Sequence, residues 1–133
     1  MSLQTVNPEE LGAPKGYSNG ILAPAGGRLL FVAGQVGWGP DQKLVSRTFP
    51  GQFGQALANA MAVVRAGGGS PQRVARLTIY VTDRKLYLDS LPDTGEAYRK
   101  VMGRHYPAMS LLEVKALLEP GALVEIEATA VLP

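Results

Sequence analysis

Apolar and polar positions follow two different periods along this chain. From Leu29 to Val36 almost every residue is apolar, with Leu29, Phe31, Ala33 and Gln35 alternating with Leu30, Val32, Gly34 and Val36. Such a run predicts a strand covered on both faces. Residues 51 to 66 then switch to helical spacing, with Phe53, Leu57, Ala60, Met61 and Val64 on one stripe. The other side of this helix carries Gln52, Gln55, Asn59 and alanines, with no charge before Arg65. A solvated helical face is normally rich in Lys and Glu, so this amide-and-alanine face is expected to lie against another surface, such as a second subunit.

Period two returns over residues 74 to 82. Ala75, Leu77, Ile79 and Val81 face one way, and Val74, Arg76, Thr78, Tyr80 and Thr82 the other. A second helical region covers residues 85 to 103, divided by Pro92 into a short turn and a main helix with Ala97, Tyr98, Val101 and Met102. Residues 109 to 116 and 123 to 132 read as the last two strands. In the final one Val124, Ile126, Ala128, Ala130 and Leu132 share a face, and Glu125, Glu127 and Thr129 lie opposite.

Turn residues mark the joints. Residues 5 to 20 are irregular, a short strand is expected at 20 to 23, and Ala25-Gly26-Gly27-Arg28 has the residues of a hairpin turn. Gly67-Gly68-Gly69-Ser70-Pro71 ends the first helix with left-handed cap geometry, and Glu119-Pro120-Gly121-Ala122 is a second hairpin turn. The order strand, strand, helix, strand, helix, strand, strand predicts an α+β fold with the helices on one face of the sheet. At 133 residues this is one domain, 1–133.

Composition sharpens the picture. Charged residues are 18% and hydrophobic ones 46%, a balance that leaves more apolar surface than a monomer needs and points to an oligomer. The net charge of +2 is spread over scattered basic residues, which argues against nucleic acid as a partner. With no cysteine, disulfides and thiolate chemistry are excluded, as fits a reducing, cytoplasmic setting. No apolar run is long enough to span a membrane, and no secretory leader is expected at the N-terminus.

Glu125 and Glu127 project from one strand face, which by itself reads first as a solvated row and second as a candidate acid–base pair. Gly34-Gln35 with Gly37-Trp38-Gly39-Pro40 is a strand end whose backbone amides and Gln side chain could border a cleft. His105 is the only histidine, so no multi-histidine metal site can form. Ser110 lies in no Gly-x-Ser-x-Gly turn and has no base placed for it. The Gly67–Ser70 run follows a helix and precedes a strand, the wrong order for a phosphate loop.

Taken together, Gly16-Tyr17, Gly34-Gln35, Gln52 with Asn59, Tyr80-Val81, Tyr98, Pro107-Ala108 with Ser110, Glu113-Val114 and Glu125-Ile126-Glu127-Ala128 resemble the Rid family, also called the YjgF or L-PSP family. The resemblance covers residues 14 to 132. It implies a chorismate-mutase-like fold and a homotrimer with a barrel-like core and ligand clefts between subunits. Many members hydrolyse imines and enamines without a cofactor, and others carry an endoribonuclease name. By resemblance Glu125 would position the attacking water, while Tyr17, Ala33, Gln35, Met109 and Ser110 would border the ligand, a small metabolite. Ala33 stands where the deaminase branch has a serine. Met109 stands where that branch has the arginine of a Pro-Ala-Arg-Ser run, which grips a substrate carboxylate. No metal or organic cofactor is implied. A non-catalytic metabolite-binding trimer is the alternative, and an endoribonuclease a further one.

Overall fold

The strand with the strictest alternation occupies the interior of the sheet. The computed structural model describes residues 2–133. Its strands are β1 (Gln4–Val6), β2 (Gly20–Leu22), β3 (Arg28–Val36), β4 (Val74–Val81), β5 (Ala108–Glu113) and β6 (Val124–Leu132). The helices are α1 (Phe49–Ala66), α2 (Arg84–Asp89) and α3 (Leu91–Met102). The main sheet runs β3-β6-β4-β5, with β6 antiparallel to both neighbours and β4 parallel to the edge strand β5. A second, two-stranded sheet pairs β1 with β2.

One face of the main sheet is covered. Val124, Ile126, Ala128, Ala130 and Leu132 of β6 are buried with Leu77, Ile79 and Val81 of β4 against Phe53, Leu57, Met61 and Val64 of α1. The helical stripe expected for α1 is thus the core stripe. Its start lies two residues earlier than the periodicity gives, because the Thr48 side chain caps Gly51 N and Pro50 sits in the first turn. At the other end Gly68, with φ +96°, supplies the left-handed residue. Pro92 falls in the first turn of α3 and the break comes at Ser90, whose hydroxyl donates to Leu86 O at 2.7 Å.

Several expectations are corrected. The strand expected to be covered on both sides is covered on one: in the single chain Leu29 is 60% and Phe31 73% exposed. The amides of α1 do lie against another surface, but that surface is the chain's own loops. Gln52 is buried, donating to Ser46 O and Gly121 O and accepting from Leu123 N at 2.7 Å, so it ties the loop before α1 to the loop before β6. Asn59 donates to Val36 O and Trp38 O and accepts from Gln55. Both glycine turns form but neither closes a hairpin, since β2 pairs with β1, and β4 lies between β5 and β6. Irregularity in the β4–β6 pairing between Val74 and Arg76 turns Val74 into the core rather than onto the face of Arg76. The three-residue β1 overlaps the start of the stretch expected to be irregular and is too short to carry a period.

Gln52 satisfies backbone groups on both sides of its amide, so Gln52→Leu keeps the volume while orphaning two carbonyls and an N–H. At about 1–3 kcal/mol for each unsatisfied buried group, denaturant unfolding should show a loss of several kcal/mol. A loss below about 1 kcal/mol would mean water replaces the amide without penalty.

Candidate functional site

The open face of the sheet carries the polar side chains. Cross-strand register places Thr129 beside Arg76, Glu127 beside Thr78 and Glu125 beside Tyr80, with Ser110 of β5 next to Thr78 and Leu112 next to Tyr80. The two glutamates therefore share a face, as the period of two requires. Their surroundings differ. Glu127 Oε1 accepts from the Tyr80 hydroxyl at 2.8 Å, whereas Glu125 has no hydrogen bond or ion pair among the described residues. That hydrogen bond, followed by partial burial and the charges of Glu127 and Glu125, holds the Tyr80 phenol above its ordinary pKa, so Tyr80 stays a donor at neutral pH.

Glu125 lies over a gap in the neighbouring strand. The β3–β6 pairing is irregular between Val32 and Gln35, and Gly34 sits in that bulge. A Cβ at Gly34 would overlap the Glu125 carboxylate, so glycine is what lets the carboxylate rest against β3. Ala33 is exposed in the same bulge, and Gln35 Nε2 donates back to Ala33 O at 3.1 Å. Ala33 and Gly34 thus lie at the free carboxylate, whereas Gln35 pairs in register with the core residue Ile126 and its amide is spent on its own strand.

Tyr17 and Met109 belong to the other side. Met109 pairs in register with Leu77, so it faces the helices, while its neighbour Ser110 faces the open side and is exposed. Tyr17 is held near Met109 by a residue the sequence reading passed over. Ser18 is buried, its N–H donates to Pro107 O at 3.1 Å and its hydroxyl to Tyr106 O at 2.5 Å. A bridge from Ser18 to Ala108 completes the dock, and a small cavity of about 190 Å³ lies between Tyr17 and Met109. The sequence marks this segment only by Gly16, two residues earlier, whose φ of +76° makes the turn; nothing in it signals that Ser18 is buried.

The six expected site residues therefore form two half-sites. Glu125, Ala33 and Ser110 go with the open face or its bulge, Gln35 follows the bulge in register with Ile126 of the core face, and Tyr17 and Met109 go with the helix face at the β5 edge. Within one chain the sheet separates them. His105 is engaged elsewhere, its Nε2 lying 2.7 Å from Val74 O, so it braces the loop before β5 against β4. Trp38 forms a bridge with Leu44 in the loop after β3. No group of three His, Asp or Glu able to hold a metal occurs among the described residues, and none of their helices is long and apolar enough to cross a membrane.

Comparison with known proteins matches this arrangement to one family. Residues 8–132 fit the family model described as Endoribonuclease L-PSP. A RutC family protein, y4sK of Sinorhizobium fredii, is 36% identical over 118 residues, which are 88% of this chain and 87% of that protein. A crystal structure of the Rid family protein YyfB from Yersinia pestis superimposes with a TM-score of 0.87 at 34% identity, covering 99% of this chain and 100% of that one. Escherichia coli TdcF, named "Putative reactive intermediate deaminase", is 30% identical over 108 residues, 79% of this chain and 80% of that protein. Its crystal structure holds serine and superimposes with a TM-score of 0.68 over 92% of each chain at 28% identity. With its mixed four-stranded sheet and helices on one face, this chain belongs to the L-PSP endoribonuclease family, whose members also carry the Rid and RutC names.

Proposed function

We propose that the chain assembles as a homotrimer, and that clefts between its copies bind and hydrolyse a small imine or enamine, with Glu125 as the water-positioning group. The observation that carries this reading is the unpaired Glu125 carboxylate resting over Gly34, beside a Tyr80–Glu127 pair that fixes its neighbourhood. A carboxylate with no internal partner is available to a water molecule. It takes a proton as that water adds to the iminium carbon. Glu125 then returns the proton to the nitrogen, the C–N bond breaks as the carbinolamine hydroxyl gives its proton to the freed carboxylate, and a ketone and ammonia leave. A positioned base of this kind contributes about 10²–10⁴-fold.

Assembly is what would join the half-sites. Leu29 and Phe31 pair with Val131 and Thr129 on the open face, and Leu112 pairs with Tyr80 there, so large apolar side chains surround the acidic patch. A face of this composition is stable when a second copy covers it. The named activity of the TdcF relative and the serine bound in its structure support a small-molecule ligand.

Met109 favours a second reading, a binding trimer without turnover. A thioether offers no charge-assisted contact to a carboxylate and leaves that side of the cleft soft and apolar. Ribonuclease action has the weakest support, since the one histidine is tied to Val74 O and the family name alone speaks for it.

Ammonia release from 2-aminoacrylate generated in situ tests the reading. Glu125→Gln should lower any turnover by about 100-fold or more with the fold intact. Wild-type rates in that variant would remove Glu125 from the chemistry. Met109→Arg should improve handling of this carboxylate-bearing substrate by at least about tenfold, since a charge-assisted contact is gained. An unchanged or lower rate would show that residue 109 does not face the substrate.

A further inference from the structure

Behind Met109 lies a larger space than the one Tyr17 borders. A cavity of about 330 Å³ opens between α1, α3 and the helix face of the sheet, within the range of small-molecule sites. Gly16, Tyr87 and Met109 border both spaces, so the cavity communicates with the Tyr17 side of the cleft.

Its walls are aromatic. Tyr98 and Tyr106 stack with ring centroids 5.3 Å apart and planes 4° from parallel, and Phe53 and Tyr87 contribute further ring surface. The Tyr98 hydroxyl is spent on His105 O at 2.5 Å, which fixes that ring in place. Met109 adds a polarisable sulfur, which contacts aromatic rings favourably. A planar ring would find stacking and edge contacts on these sides.

Arg99 carries the only formal charge in the lining. It has no hydrogen bond or ion pair among the described residues, and its own side chain is exposed. Its guanidinium lies over Gly95, where a Cβ would come within 3.2 Å of Nη1. Gly95 also lines the cavity, so the absence of a side chain there lets the fork lie along α3 at the cavity's edge. An unpaired guanidinium next to an aromatic hollow matches a flat apolar body ending in an anion.

We propose that this cavity binds an aromatic carboxylate, its ring among Tyr98, Tyr106 and Met109 and its carboxylate on Arg99. The anion is then held from α3 instead of from residue 109. This goes beyond the imine reading and does not require Glu125 to catalyse anything.

Methyl-¹³C methionine labelling reads the site directly, since Met109 is the one methionine in the lining and its signal is assigned by its loss in Met109→Leu. Phenylacetate should shift that signal saturably with a Kd of millimolar or tighter. Acetate should leave it unmoved. Arg99→Gln, an exposed change, should weaken phenylacetate about tenfold or more while leaving the neutral phenylacetamide unchanged. The proposal is overturned if phenylacetate does not move Met109, if acetate moves it equally, or if Arg99→Gln affects acid and amide alike. None of these outcomes depends on ammonia release, so the two proposals fail separately.

Discussion

The strict two-residue alternation of β6 is the constraint from which the rest of the structure follows. Held between β3 and β4, it must send every second side chain into the core beneath α1 and the others to the opposite face. Ile126 can only be buried if Glu125 and Glu127 are not. A one-residue slip would put both carboxylates among Leu57, Met61 and Leu77, at a cost no partner there could offset. The acidic pair on the open face is thus fixed by the same pattern that builds the core.

That face and the helix face then hold different chemistry. On one, a free carboxylate rests over a glycine bulge, next to a glutamate already engaged by Tyr80. On the other, Tyr17 is pinned by Ser18 beside Met109, above an aromatic cavity edged by Arg99. No motion within one sheet brings these together. Contact between copies can, and the uncovered Leu29 and Phe31 supply an apolar reason for copies to meet on that side.

The core was legible in the sequence because it is periodic. The α1 stripe and the inner residues of β6 read directly from spacing, and Glu125 could be singled out by its run of neighbours. Pairing partners were less legible. Gly26 and Gly121 signal turns, yet a turn does not say which strands it joins, and β4 enters between β5 and β6 by long-range packing. The amide face of α1 is half legible, because a covered, uncharged helical surface can meet another copy or the chain's own loops. Gln52 and Asn59 hold the chain's own loops, a role that spacing does not encode. The bulges at Gly34 and near Val74 shift register by a residue, which a strict period cannot anticipate. Arg99 and Gly95 are four apart on α3, ordinary helix-surface residues until the cavity beside them is seen.

The central claim is that the open face is covered by copies of the same chain. Light scattering at micromolar concentration, on wild type and on Phe31→Asp, tests it most directly. The account predicts a wild-type mass three times the 14.1 kDa of the chain and a folded, smaller species for the variant. A wild-type mass of one chain would contradict it and leave the two half-sites apart.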